Sequence, residues 1–137
     1  MSWAGEEESL NWFDVARELT ERWHHQQQIR DATGRPPLYE PYLGPVLATF
    51  VRALPFTYRD VEAPEGTAVV FNDWTLVRED SAWRLYEGRA AHPATVVEIP
   101  NEIAWRIFTK QRVDPRARIE GDERLARPLL KMVTVIG

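Results

Sequence analysis

The 137-residue chain contains no cysteine. That excludes disulfide staples, cysteine-ligated zinc, iron-sulfur clusters and a cysteine nucleophile. Any site is therefore built from oxygen and nitrogen, and any thiol chemistry has to come from a bound cofactor. No apolar run approaches the roughly 18 to 20 residues of a membrane-spanning helix. The acidic opening, Met1 to Glu8, is unlike a secretory signal, so a soluble, cytoplasmic protein is expected. An excess of positive charge is also missing: 17 Lys and Arg stand against 21 Asp and Glu, a formal net charge of -4. Without a basic field to hold a phosphate backbone, nucleic acid is disfavoured as a partner. Lysine is scarce, since 15 of the 17 basic residues are Arg, a bias better explained by genome base composition than by that many guanidinium sites.

What is present is ordinary globular composition, 44% hydrophobic and 28% charged. A chain of this length buries roughly 70% of its unfolded surface, enough for a core without covalent staples. Ser9 or Asn11 can cap a first helix, whose positions Trp12, Val15, Ala16, Leu19 and Trp23 form one apolar stripe at helical spacing. It should run to about Ala32, where Gly34 and Pro36-Pro37 stop it. A second helix is predicted over Leu43 to Leu54, ended by Pro55. Short β segments follow at Thr67 to Phe71, Thr75 to Val77, Ala82 to Tyr86 and Thr95 to Ile99. Their short turns predict an antiparallel meander. Asn101 can cap a third helix that ends before Val113, Arg116 to Glu120 reads as extended, and Asp122 can cap a last short helix over Glu123 to about Lys131. Two helices, then strands, then mixed elements make an α+β chain with a small, mainly antiparallel sheet. The stretch from Gly34 to Pro45 holds four of the ten prolines and two of the seven glycines and suits a linker.

The chemistry-bearing candidates begin on helix one. Glu21 and His25 are four residues apart, which places them one turn apart on one face, about 40° from each other. A carboxylate and an imidazole at that spacing can reach one divalent cation at about 2.0 to 2.2 Å, and can equally form a hydrogen-bonded pair on a solvated face. His24 points about 100° away from His25 and suits packing against Trp23 or a hydrogen bond outside the first set of ligands. His92 stands in a loop, either as a third ligand or simply exposed. Trp74, Trp83 and Trp105 are core residues or line a ligand cavity. Arg112, Arg116 and Arg118 either hold a carboxylate or form a solvated face. No nucleophile elbow, phosphate loop or dinucleotide fingerprint occurs.

The run from Ala16 through Glu21-Arg22-Trp23-His24-His25 to Ala32, with the Pro-rich loop and Phe50-Val51-Arg52-Ala53-Leu54-Pro55 after it, resembles the mycothiol-dependent maleylpyruvate isomerase family of the DinB-like metal-binding superfamily. Ala104-Trp105-Arg106, and Gly121-Asp122 leading into Leu129 to Val133, suit the C-terminal half of such proteins. The resemblance covers nearly the whole chain but only the back half of the family. It implies that residues 1–33 are the last helix of an incomplete four-helix bundle, 34–45 a linker and 46–137 an α+β C-terminal domain. It implies that Glu21 and His25 are metal ligands, with a further His on an earlier helix absent from this chain. Zinc or another divalent metal and mycothiol are the implied cofactors. The implied chemistry is addition of an activated thiol to a double bond of a small-molecule substrate, then rotation and elimination, or transfer of the thiol to another electrophile. Arg106 is the candidate to hold a substrate carboxylate, a surface salt bridge being its other reading. The Trp12/Leu19/Trp23 face would pack on a complementary bundle, pair in a homodimer or fold back on the strand domain. The alternative is a non-catalytic module that binds a small ligand or a protein, with a vestigial Glu21/His25 pair.

Overall fold

A 22-residue helix, α1 (Asn11–Ala32), leads the fold in the computed structural model, which describes residues 11–109, 111 and 114–132, with backbone alone for 11–14. It ends as its sequence requires: Gly34 takes φ +69 and the amide of Arg35 closes on the Arg30 carbonyl at 2.8 Å. Ser9 lies outside the described residues. The second helix, α2 (Leu43–Phe50), does not stop at Pro55. It passes through a 3-10 turn (Val51–Ala53) into a single further turn, α3 (Leu54–Thr57), with Pro55 in its first positions. Proline is tolerated there because a first-turn amide has no intrahelical partner.

The sheet has five strands, β1 (Ala68–Phe71), β2 (Trp74–Glu79), β3 (Ala82–Glu87), β4 (Thr95–Glu98) and β5 (Arg118–Gly121), in the order β3-β2-β1-β4-β5. The predicted meander holds only as far as β3. Strand β4 crosses back to pair parallel with β1, Phe71 against Val97, and β5 pairs antiparallel with β4. Turn length argued for antiparallel neighbours, but the β2-β3 hairpin is itself the crossover that a parallel pair needs. The α+β class stands, with α4 (Asn101–Phe108) between β4 and β5 and α5 (Glu123–Leu130) last. Asn101 is not the cap of α4 but its first residue, Pro100 being the cap, and the helix ends at Phe108. The Asn101 carboxamide instead accepts from Asn72 at 3.1 Å. Asp122 does cap α5, accepting from the Arg124 amide at 2.9 Å. Residues beyond Met132 lie outside the described set.

Helices cover one face of the sheet. Val69, Phe71, Leu76, Trp83 and Val97 from that face, Val46, Leu47 and Phe50 from α2, Trp105 and Phe108 from α4, and Leu125 and Leu129 from α5 form one buried core. Trp83 and Trp105 belong to it and Trp74 packs at its margin, so these tryptophans are chiefly structural. Helix α1 joins the same core through Trp23, which meets Trp105 edge to face at 5.0 Å and donates from Nε1 to the Leu38 carbonyl at 2.9 Å.

The expected apolar stripe of α1 divides. Trp23 is buried, but Val15 is 70% and Leu19 38% exposed, and the Trp12 side chain is outside the described residues. The buried face instead carries Thr20, Trp23, His24 and Gln27. Two of its polar atoms find close partners: Thr20 Oγ1 donates to the Ala16 carbonyl at 2.8 Å, and Gln27 Oε1 accepts from the Leu38 amide at 2.8 Å, whereas Gln27 Nε2 and His24 Nε2 are buried without one among the described residues. The loop after α1 is thereby fastened along the helix. No helix among the described residues is long and apolar enough to cross a membrane.

Glycine at 121 is a steric requirement. Its φ is +97, and a Cβ there would sit 2.3 Å from the Ala94 carbonyl oxygen, where β5 closes on the start of β4. Gly34 also has a positive φ but open space around it. Gly121→Ala is therefore expected to lower stability in urea unfolding by more than the ~1 to 3 kcal/mol of backbone strain alone. Gly34→Ala should stay within that range.

Candidate metal centre on helix α1

The rotation imposed by Trp23 places three side chains with potential ligand atoms along one margin of α1. Glu21 is half-buried, His24 fully buried and His25 exposed, and one donor atom from each lies within 4.8 Å of the other two. Glu21 and His25, the pair singled out by spacing, converge: His25 Nε2 is 3.7 Å from Glu21 Oε2. On the far side of the ring, His25 Nδ1 lies 3.2 Å from Gln28 Oε1. With the proton on Nδ1, the ring donates to Gln28 Oε1 and leaves Nε2 a lone pair for an ion; with the proton on Nε2, it points toward the Glu21 carboxylate.

His24 is buried, in keeping with the packing or hydrogen-bonding role its place beside Trp23 suggested. Its Nδ1 sits 3.3 Å from the Thr20 carbonyl, one turn back, and its Nε2 is buried with no hydrogen-bond partner. Burial holds its pKa below the ordinary histidine value, and the neighbouring His25 pushes the same way; the Thr20 carbonyl and Glu21 oppose them. The His24 ring lies against His25, centroids 4.2 Å apart and planes tilted by 32°. The sequence signal for its place beside Glu21 is Glu21-x-x-His24, an i, i+3 spacing that also puts two side chains on neighbouring tracks.

Oxygen and imidazole nitrogen form a donor set suited to zinc and similar divalent ions. The unpartnered buried nitrogen of His24 and the Glu21/His25 convergence both fit such an ion. His92 is exposed in its loop and is not among the clustered donors.

Arg106 is placed elsewhere. It projects from α4 to the end of α1, where Nη1 donates to Asp31 Oδ2 at 2.6 Å and Nη2 to Asp31 Oδ1 at 3.1 Å. Nη1 also donates to Gln111 Oε1 at 3.0 Å, and the guanidinium lies 4.4 Å from the Trp105 ring centroid. Asp31 is about 9 Å of helical rise beyond His25 and about 15 Å beyond Glu21. The structure does not bring Arg106 to the Glu21/His25 pair. Arg116 and Arg118 line a separate cavity of about 530 Å³ with Arg89, Asp73 and Glu98. Arg112 is outside the described residues. A second cavity of about 460 Å³ lies between α1, α2 and the sheet, lined by Ala48, Val51, Trp74, Leu85 and Tyr86 among others.

No family model, no curated protein and no solved structure matches this chain.

The bidentate pair makes a pH prediction. Hydrogen bonding from Arg106 holds the Asp31 carboxyl below the ordinary aspartate value; partial burial opposes this and the Arg106 charge adds to it. A carboxyl with a depressed folded pKa stabilises fully above its unfolded value, about 4, and that stabilisation is lost as pH falls through the folded value. The stability gap between wild type and Asp31→Asn in urea unfolding should therefore be constant from about pH 7 to pH 5 and shrink below about pH 4.

Proposed function

We propose that this chain is the C-terminal part of a cytoplasmic, divalent-metal-using thiol-addition enzyme of the mycothiol-dependent maleylpyruvate isomerase kind, an isomerase or a thiol transferase acting on a small molecule. The single observation that carries the reading is the convergence of Glu21 and His25 to 3.7 Å at the solvent margin of α1. A bound divalent ion would supply the lowering of a thiol's pKa that lets it attack near neutral pH. The chain's own part is to hold that ion with a carboxylate oxygen and an imidazole nitrogen, with Gln28 Oε1 accepting from Nδ1 in the tautomer that ligates through Nε2. Protein zinc sites use at least three side chains, so the pair alone binds weakly. Activity then depends on further helices, and the exposed Val15, Leu19 and Ile29 side of α1 is where a complementary bundle or a second copy would pack. In this reading Arg106 receives a substrate carboxylate only by exchanging it for that of Asp31, since both of its terminal nitrogens are engaged there.

The second reading, a non-catalytic module for a small apolar ligand, is favoured by the 460 Å³ cavity between α1, α2 and Trp74, which falls in the size range of ligand pockets. The metal content of the purified chain separates the two. Elemental analysis should find an ion bound by wild type and lost in both Glu21→Ala and His25→Ala. A chain that takes up no ion under any condition, but binds an apolar dye competed away by Leu85→Glu, belongs to the second reading.

A further inference from the structure

We propose that His24 is a third ligand of the ion held by Glu21 and His25, so that one helix of this chain carries a three-residue Glu/His/His site without a donor from elsewhere. The inference rests on the metal reading above and adds a residue to it. Two independent observations carry it. One is proximity, since a donor atom of His24 lies within 4.8 Å of those of Glu21 and His25. The other is the state of the ring itself: His24 is fully buried, Nδ1 faces the Thr20 carbonyl, and Nε2 has no partner among the described residues. Gln27 Nε2, Trp105 Nε1 and Gln111 Nε2 are also buried without a partner, but those are N–H donors; with the Nδ1 proton on the Thr20 carbonyl, His24 Nε2 is a lone pair that a cation could take. The Nδ1 contact to a carbonyl is the usual outer support of a ligating histidine.

The geometry states what has to move. With bonds of about 2.0 to 2.2 Å, two donors on one ion stand no more than about 4.3 Å apart, and about 3.4 Å apart in a regular tetrahedron. The set therefore contracts by roughly an ångström on binding. His24, locked in the interior, is the fixed anchor, while Glu21 and His25, more than a third exposed, can swing. Metal bonds lie in the plane of an imidazole, and the two rings lie against each other at a tilt of 32°, so His25 has to turn its ring away from that of His24. Three protein ligands leave a fourth position open, the arrangement of a catalytic rather than a structural zinc centre. That position would accept a thiol or a water.

Calorimetric titration of the whole chain with Zn(II), and with Co(II) read by its visible absorption, tests the proposal. One ion per chain is expected. Glu21→Gln, His24→Gln and His25→Gln should each weaken binding at least tenfold and alter the Co(II) spectrum of any complex that remains. If His24→Gln binds as tightly as wild type while the other two lose the ion, His24 is not a ligand, the third-ligand inference fails and the Glu21/His25 reading survives. If wild type itself binds no ion at millimolar Zn(II), both fail together. Because His24 is buried, its variant could fail to fold, and a measurement on the unmodified protein guards against that. In long-range nitrogen-proton spectra, the His24 Nε2 resonance should move on Zn(II) addition together with a His25 ring nitrogen. Movement of His25 alone overturns the proposal.

Discussion

The edge-to-face contact of Trp23 on Trp105 fixes the rotation of α1 about its own axis, and the candidate site follows from that rotation. With Trp23 turned inward, helical geometry puts His24 about 100° away, at the edge of the buried face, and Glu21 and His25 about 160° away on the solvent side. Asp31 falls within about 20° of the His24 track, one element of a border line that runs along the helix. Its pair with Arg106 pins the same rotation two turns farther on. A helix turned by one residue position would bury Glu21 or expose His24, and in either case the three donors would no longer straddle the water boundary. An edge-to-face ring contact and an ion pair, each between segments far apart in sequence, thus decide where the candidate donor cluster stands.

Much of the fold was legible because its signals are local. Gly34 and Pro36 mark the end of α1 through backbone conformation alone, and Asp122 announces the start of α5 through the hydrogen bond its carboxylate makes two residues on. Strand positions were readable from Val, Thr and aromatic runs. What local signals could not contain was the return of β4 to the side of β1, since the choice between extending a meander and crossing over depends on which edge the helices leave open. Pro55 shows the same limit. It ends a helix in its interior but is harmless in a first turn, and only the 3-10 segment before it makes a new first turn available.

The buried face of α1 is the instructive failure of hydropathy. Counting apolar residues picked the side of Val15 and Leu19, which the structure leaves exposed, and passed over Thr20 and Gln27, which it buries completely. The Ala16 carbonyl accepts from the Thr20 hydroxyl and the Leu38 amide donates to the Gln27 carboxamide oxygen, and neither partner can be read from a wheel. The spacing of Glu21 and His25 was sufficient to find their convergence, because both lie on one track of one helix. Arg106 illustrates the opposite case. Its sequence neighbourhood offered only a Trp-Arg pair, whereas its actual commitment is to a carboxylate 75 residues away.

Placing one donor inside and two outside has an energetic consequence. A buried nitrogen without a partner costs on the order of 1 to 3 kcal/mol. On the proposed reading, an ion bound there would remove that penalty and order two exposed side chains, so stability and ion affinity would be linked and each would strengthen the other. The exposed pair by itself would have no such linkage, because water already satisfies Glu21 and His25 and little is gained by replacing it. The interior histidine would thereby make such a site a part of the fold, and the two surface residues would leave it reachable from solvent.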